Sequence, residues 1–291
     1  MRLKAKAKIN WSLDITGIRE DGYHLMDMLM QPVELHDTIE LLLSDCLSLS
    51  TAGHPLLKAD DRHLAMRAAR LLKDFTGYSG GASISVFKRI PVGAGMGGGS
   101  ADAAAVLWGL NQLWGTGLSL SELEQLGLSL GADIPFCLHG GLTRTRGIGE
   151  KMENLPCGRL FPLVVIQPCR GLSTRDVFSL FHMTDELVHP DTDVSAQALA
   201  AGDLFPLRRS LGNVLQPVSI RMRPEIGVCI HKLKESGAEI ALMTGSGSAV
   251  FGVYRTMSRA RTAFSSLVLQ WPSAFLTQTS LTSIELEDLS E

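Results

Sequence analysis

The chain opens on a two-residue rhythm. Leu3, Ala5, Ala7, Ile9, Trp11, Leu13 and Ile15 fill one set of alternate positions; Lys4, Lys6, Lys8, Asn10, Ser12 and Asp14 fill the other. That period predicts a half-buried β-strand over residues 3–15, with Lys8 and Asn10 on one polar face. A second strand is expected from Asp37 to Leu43. The rhythm then changes. Leu64, Ala68, Leu71, Leu72 and Phe75 recur at helical spacing, and Gly77 ends the run. Ser83–Phe87 reads as a short strand leading into a glycine-rich turn. From Ser100 onward, Ala103, Val106, Leu107, Leu110, Leu113 and Trp114 form an apolar helical stripe, and Ser119-Leu-Ser-Glu122 is a capping box that starts another helix.

In the second half, the apolar run Phe161–Ile166 is followed by a polar stretch, 183–203, that reads as a loop or mobile helical region. Then come a helix (Glu225–Ser236), two strands (Glu239–Met243 and Ala249–Tyr254), a helix (Met257–Leu269) and a strand (Phe275–Thr279). This order predicts an α+β chain with an antiparallel sheet covered by helices. A boundary is expected near 155–160, dividing it into 1–157 and 158–291. There is no internal repeat.

Composition narrows the classes. A length of 291 residues suffices to bury a full core. A formal charge of −3 argues against a general nucleic-acid or membrane-surface binder. The N-terminal lysines precede no apolar signal core, and no apolar run nears the roughly 20 residues that span a bilayer. Cys46, Cys137, Cys157, Cys169 and Cys229 are odd in number and widely spaced, as expected of reduced thiols in a cytoplasmic protein.

The strongest local feature is Pro91-Val-Gly-Ala-Gly-Met-Gly-Gly-Gly-Ser100-Ala101, where five of the seven residues from Gly93 to Gly99 are glycine. Glycine allows positive φ and close approach of a ligand to the backbone. The helix that follows presents free N–H groups and a positive dipole end, which favour phosphate. Ser100 could cap that helix, or help to hold phosphate or Mg²⁺. A tight structural turn is the plain alternative. No lysine follows the glycines as in the P-loop, and no acidic residue sits where a dinucleotide fold requires one.

Two further residues could do chemistry. Asp133, in Leu130-Gly-Ala-Asp-Ile-Pro-Phe136, is a lone carboxylate in an apolar stretch; by spacing alone it is a helix cap or a base. Lys8 is either a solvated strand residue or its partner.

The glycine loop resembles the Pro-x-x-x-Gly-x-Gly-Gly-Gly-Ser segment of the GHMP kinase superfamily. The resemblance implies a two-domain fold, with an N-terminal ribosomal-protein-S5-domain-2-like domain and a C-terminal ferredoxin-like α/β sandwich. It implies that the ATP triphosphate lies along Pro91, Val92, Gly93, Ala94, Gly95, Met96, Gly97, Gly98, Gly99, Ser100 and Ala101, with Mg²⁺ arriving as the ATP complex. It also implies that Asp133 is catalytic and that Lys8, in Ala7-Lys8-Ile9-Asn10-Trp11, is its partner.

Gly17-Ile-Arg-Glu-Asp-Gly-Tyr23-His24 is similar to the segment that sets apart one branch, the 4-diphosphocytidyl-2-C-methyl-D-erythritol kinases. The likeness implies a cytidine-diphosphate-linked polyol as substrate, phosphorylated on its 2-hydroxyl. Tyr23 would stack on cytosine, His24 would bond its edge, and Phe178, in Ser173-Thr174-Arg-Asp-Val-Phe178, would be the second stacking ring. Asn10, Thr174, Gly245 and Ser246 are the other expected substrate contacts, the last two from Met243-Thr-Gly-Ser-Gly-Ser-Ala-Val-Phe251. Gly147-Ile-Gly-Glu150 fits the pattern as well. Three positions depart from it: Ala101 in place of a second serine, His63 in place of an asparagine near the adenine, and Val214 after Asn213. The alternatives are a homoserine- or mevalonate-type kinase, a mevalonate-branch decarboxylase, or a sugar and ATP sensor without turnover. Lys4, Lys6, Lys88, Arg144 and Arg146 are candidates for steering anionic substrates. No nucleic acid or membrane partner is expected, and the protein is expected to act as a monomer or weak homodimer.

Overall fold

A computed structural model describes residues 1–20, 22–54, 58–183 and 187–287. The first half contains β1 (Arg2–Ile18), β2 (His24–Ser44), β3 (Ser48–Ala52), α1 (Leu64–Thr76), β4 (Gly81–Phe87), α2 (Gly98–Trp114), α3 (Leu120–Leu130), α4 (Ile134–His139), β5 (Leu142–Gly147) and β6 (Lys151–Leu155). The second contains β7 (Pro162–Ile166), α5 (Thr174–Ser179), α6 (Thr192–Ala201), α7 (Leu204–Ser210), α8 (Gln216–Met222) and α9 (Glu225–Glu235). It continues through β8 (Ile240–Met243), β9 (Val250–Val253), α10 (Met257–Gln270), β10 (Ala274–Gln278) and β11 (Ile284–Leu286).

Among the described residues two sheets organise these elements. The first runs β11-β1-β2-β4-β3, with β5 pairing both β2 and β6. The second runs β10-β7-β9-β8 and is antiparallel throughout. Numbered within that half, its order is 4-1-3-2 with helices between its first and second strands and between its third and fourth. That is the ferredoxin-like α/β sandwich. β11 crosses back to pair with β1, so a cut near residue 157 leaves one strand of the first sheet in the second half.

β1 and β2 form a long twisted ribbon with register shifts between Lys6 and Lys8 and between Asn10 and Ser12. The expected strand over 37–43 is thus only the end of β2. The apolar face of β1 is buried, as its period demands. Its polar face is buried too, against expectation: Lys6, Lys8, Asn10 and Ser12 are all less than 5 % exposed. The second lobe explains this. Leu13 N donates to Gly212 O and Val214 N to Leu13 O, while Thr244 lies against Asn10.

Helix ends follow local chemistry. His63 Nδ1 caps α1, which stops at Gly77 with φ 68°. Ser119 and Glu122 form the reciprocal capping box of α3. α2 begins two residues earlier than Ser100. Its cap is Gly97, with φ 70° and no side-chain cap bond, so Ser100 lies inside the first turn rather than capping it. The 183–203 stretch contains α6, capped by Asp191; residues 184–186 of it lie outside the description. No described helix is long and apolar enough to cross a membrane.

Candidate active site

A cavity of about 620 Å³ opens where the glycine loop, β1, α4 and the turn between β8 and β9 meet. Its walls include Lys8, Asn10, the run Pro91–Ser100, Asp133, Thr174, Phe178, Gly245 and Ser246, so most of the residues singled out from sequence share one space. Ala101 does not line it. That residue is buried, and its N–H makes the first helical bond, to Gly97 O at 2.8 Å.

The loop can bend this way because Gly95 and Gly97 have φ of 76° and 70°, a region that penalises any Cβ. Close neighbours also crowd one. A Cβ on Gly95 would stand 2.4 Å from Thr244 O, and one on Gly97 would stand 3.1 Å from Lys8 Cγ. The loop is pinned on both sides by backbone bonds, Lys8 N to Met96 O and Ala249 N to Ala94 O. The N-terminus of the 17-residue α2 points into the space thus formed, a favourable seat for phosphate.

Asp133 is the N-cap residue of α4, yet its side chain makes no cap bond. Its carboxylate is free to face the cavity and is about one-third exposed. Lys8 Nζ stands 3.6 Å from Asp133 Oδ2 and donates to Asn10 Oδ1 at 2.7 Å. Thr174 and Ser246 share a hydroxyl hydrogen bond of 2.9 Å, linking α5 to the β8–β9 turn.

The Tyr23 and His24 expectation divides. Tyr23 is exposed on the hairpin between β1 and β2, with the Arg19 guanidinium 5.5 Å from its ring centre; it does not line the cavity. Asp21 lies outside the described residues. His24 is half-buried, its ring 5.1 Å from Phe178 and 6.0 Å from Phe181. Phe178 faces the cavity, so His24 reaches the site's edge through that ring.

The proposed steering cations are each engaged. Lys6 is buried against Glu34, Glu285, Ser280 and Thr282. Lys4 pairs with Glu285, Arg146 with Glu153, and Arg144 with Asp27 and Asp193. Lys88 is buried in the cavity wall between Asp37 and Asp102, bonding Asp102 Oδ2 at 2.7 Å. Burial pulls the Lys88 ammonium down, but the two carboxylates outweigh it and hold its pKa above the ordinary value. Burial pushes Asp102 well up, against the pull of Lys88. Asp102 Oδ1 has no hydrogen-bond partner among the described residues, while Asp37 receives Lys88 and the N–H groups of Arg89 and Ile90.

Sequence reading missed this cluster, although a signal existed. Asp37 is in phase with Val33, Leu35, Ile39 and Leu41, all core residues, and Asp102 interrupts an alanine-rich buried helix. His63, at the cavity edge, is pushed down by burial first and by Lys88 second.

Comparison with known proteins agrees with the geometry. Residues 63–141 match the GHMP kinases N terminal domain and residues 195–272 the GHMP kinases C terminal domain. The chain is 40 % identical over 265 residues to 4-diphosphocytidyl-2-C-methyl-D-erythritol kinase of Bacillus pumilus, covering 91 % of each. It is 44 % identical over 260 residues to the protein of that name from Pelotomaculum thermopropionicum, covering 88 % of this chain and 90 % of that one. A crystal structure of 4-(cytidine 5'-diphospho)-2C-methyl-D-erythritol kinase superposes with a TM-score of 0.83 at 33 % identity, over 96 % of this chain and 99 % of the other. Homoserine kinase from Cytophaga hutchinsonii shares the fold at 17 % identity, with a TM-score of 0.77 over 98 % of this chain and 96 % of that one. Its fold, its glycine-loop cavity and these relatives together place the chain in the 4-diphosphocytidyl-2-C-methyl-D-erythritol kinase family of the GHMP kinases.

Proposed function

We propose that this enzyme transfers the γ-phosphoryl group of ATP to the 2-hydroxyl of 4-diphosphocytidyl-2-C-methyl-D-erythritol at the cavity described above. The observation that carries the reading is the convergence of Lys8, Asp133 and the N-terminus of α2 on one space. Phosphoryl transfer needs little covalent help from protein; it needs in-line placement and compensation of charge.

In this reading the backbone from Pro91 to Ala101 seats the triphosphate, and the N–H groups of α2 face its terminal oxygens. Asp133 orients the acceptor hydroxyl and takes its proton. Lys8 offers its ammonium to the transferred group, because its bond to Asn10 leaves two further donors. Asn10, Thr174, Gly245 and Ser246 line the polyol, and Phe178 and His24 form the aromatic wall for cytosine. Tyr23 would close on that base from its exposed hairpin.

Mg²⁺ fits as a hydrated ion carried by the phosphates. Among the described residues no cluster of three or more His, Cys, Asp or Glu could cage a metal. Ser100 lines the cavity at the end of the loop. An octahedral ion that keeps its waters needs little more. When bound, it would neutralise the β- and γ-phosphate oxygens.

We place the reaction in the cytoplasm, carried out by a monomer or weak homodimer whose chain divides near residue 157. Cysteines without a disulfide among the described residues suit that compartment. The test is phosphorus NMR of the product formed from MgATP and the cytidyl substrate. A new monoester on the methyl-bearing C2 oxygen is expected; a phosphate on another hydroxyl would overturn the placement of the polyol.

A further inference from the structure

Lys8 is held by Asn10 rather than by Asp133. Its ammonium donates to Asn10 Oδ1 at 2.7 Å, whereas the Asp133 carboxylate, at 3.6 Å, is in ion-pair range but beyond a hydrogen bond. The position of Lys8 therefore depends on which way the Asn10 amide points. An ammonium carries only donors, so the oxygen end must face it.

Thr244, from the other sheet, fixes that end. Its hydroxyl oxygen accepts the main-chain N–H of Asn10 at 2.9 Å, and its O–H donates to Asn10 Oδ1 at 3.4 Å. On the far side the amide nitrogen donates to Met28 Sδ at 3.4 Å, a weak acceptor. Thr244 is fully buried and rigidly mounted. Its N–H donates to Ala249 O and its carbonyl accepts Gly247 N–H. Asn213 Nδ2 donates to the flanking carbonyls of Met243 and Gly245 at 2.9 and 2.8 Å.

We propose that Thr244 is a positioning residue for the kinase reaction: its hydroxyl sets the Asn10 amide, which in turn holds Lys8 away from Asp133. The inference rests on the catalytic reading of Lys8 and Asp133 given above. With Lys8 anchored on Asn10, its remaining donors serve the transferred phosphoryl group and the Asp133 oxygens remain open to the substrate hydroxyl. Without the Thr244 hydroxyl the Asn10 amide turns, Lys8 loses its acceptor, and the ammonium closes onto Asp133. A charge-assisted bond between the two is then the strongest one on offer. Each group would be occupied by the other, and the substrate would meet neither in working geometry. Val214, where the sequence departs from its family, does not disturb this relay, because Asn213 supplies the bonds.

The experiment compares Thr244→Val, which keeps the shape and deletes the hydroxyl, with Thr244→Ser, which restores it. Thr244→Val is expected to lower kcat by roughly ten- to a hundredfold, the range for a misplacement near 1 Å. The KM for ATP should stay within about twofold of wild type, since only transition-state positioning is lost. Thr244→Ser should recover most of the turnover. Asn10→Ala should also slow the enzyme, and adding Thr244→Val to it should cost clearly less in kcat than Thr244→Val costs alone, because the hydroxyl acts on Lys8 through the Asn10 side chain. Wild-type kcat in Thr244→Val, no recovery in Thr244→Ser, or additive losses in the double variant would each overturn the proposal. Thr244→Ala carries the same test if valine does not fold. Lys8→Ala and Asp133→Asn run alongside. If both turn over like wild type, the catalytic reading fails and this inference with it. If both are inactive while Thr244→Val is unaffected, this inference alone fails.

Discussion

Lys8 and Asp133 face each other beside the backbone of Gly97, with 3.6 Å between Nζ and Oδ2. A Cβ added to Gly97 would lie 3.1 Å from Lys8 Cγ and 3.7 Å from that same Asp133 oxygen. In the proposed reading the glycine loop does two jobs: it seats phosphate, and it leaves room for the pair that works on it.

Asp133→Asn keeps the shape and removes the charge. Turnover should fall by about 10²–10⁴-fold, the usual contribution of a positioned base. ATP affinity, measured by calorimetry, should hardly change if the loop backbone supplies that contact, as proposed. Near-normal turnover would remove Asp133 from the chemistry.

Gly97→Ala tests the space between the pair. At φ 70° an alanine is strained by about 1–2 kcal/mol, and its methyl would displace Lys8. We expect a lower unfolding midpoint and a larger loss of kcat than the stability change explains. A variant with unchanged kcat would show that Lys8 need not stand where it does.

Much of this site was legible in the sequence, for specific reasons. The glycine loop signals itself by composition, whereas Lys8, Asn10 and Asp133 stand out only through the family resemblance, since spacing alone leaves Asp133 a helix cap and Lys8 a solvated strand residue. The two-residue rhythm of β1 was equally clear, because its apolar half packs in the core. What it could not show was that the polar half is covered as well, since that cover is Thr244 and Gly212 from more than 190 residues away. The same limit hid β2, which was visible only over its last third. Its first part pairs with β1 and β5 around polar residues such as Asp27 and Gln31, and carries no clean alternation. Lys88 reads from sequence as a steering cation, not as a buried ion pair, because its two partners come from β2 and α2. Charge pairs buried by tertiary packing leave only a faint mark, an acid in phase with core residues.

Variants of Tyr23 and Phe178 test the proposed cytosine pocket apart from the scaffold. Tyr23 is 59 % exposed, so Tyr23→Ala should change folding stability by less than about 0.5 kcal/mol. It should weaken the cytidyl substrate by about 1–3 kcal/mol, the range for lost stacking on a base. Phe178→Ala should weaken the same ligand and also free the His24 ring that leans on it. Calorimetry with each ligand decides; a loss of ATP binding instead would exchange the two pockets.

Glu285 ties β11 to β1. Hydrogen bonds from Lys6 first and Lys4 second hold its carboxyl at about 2, below the ordinary 4.5. A folded value below the unfolded one means that the clasp stabilises fully above the unfolded value and is lost as pH falls from there through about 2. Glu285→Gln does not titrate. Urea midpoints should therefore favour wild type at about pH 6 and converge toward the variant at about pH 2.5, with salt narrowing the gap because Glu285 is partly exposed. A gap that persists unchanged at low pH would contradict the assignment.

The most direct test of the central claim is ADP release with MgATP and, in separate runs, 4-diphosphocytidyl-2-C-methyl-D-erythritol, homoserine, mevalonate and galactose. The account predicts turnover on the cytidyl substrate alone. Turnover on one of the other three, or on none, would contradict it.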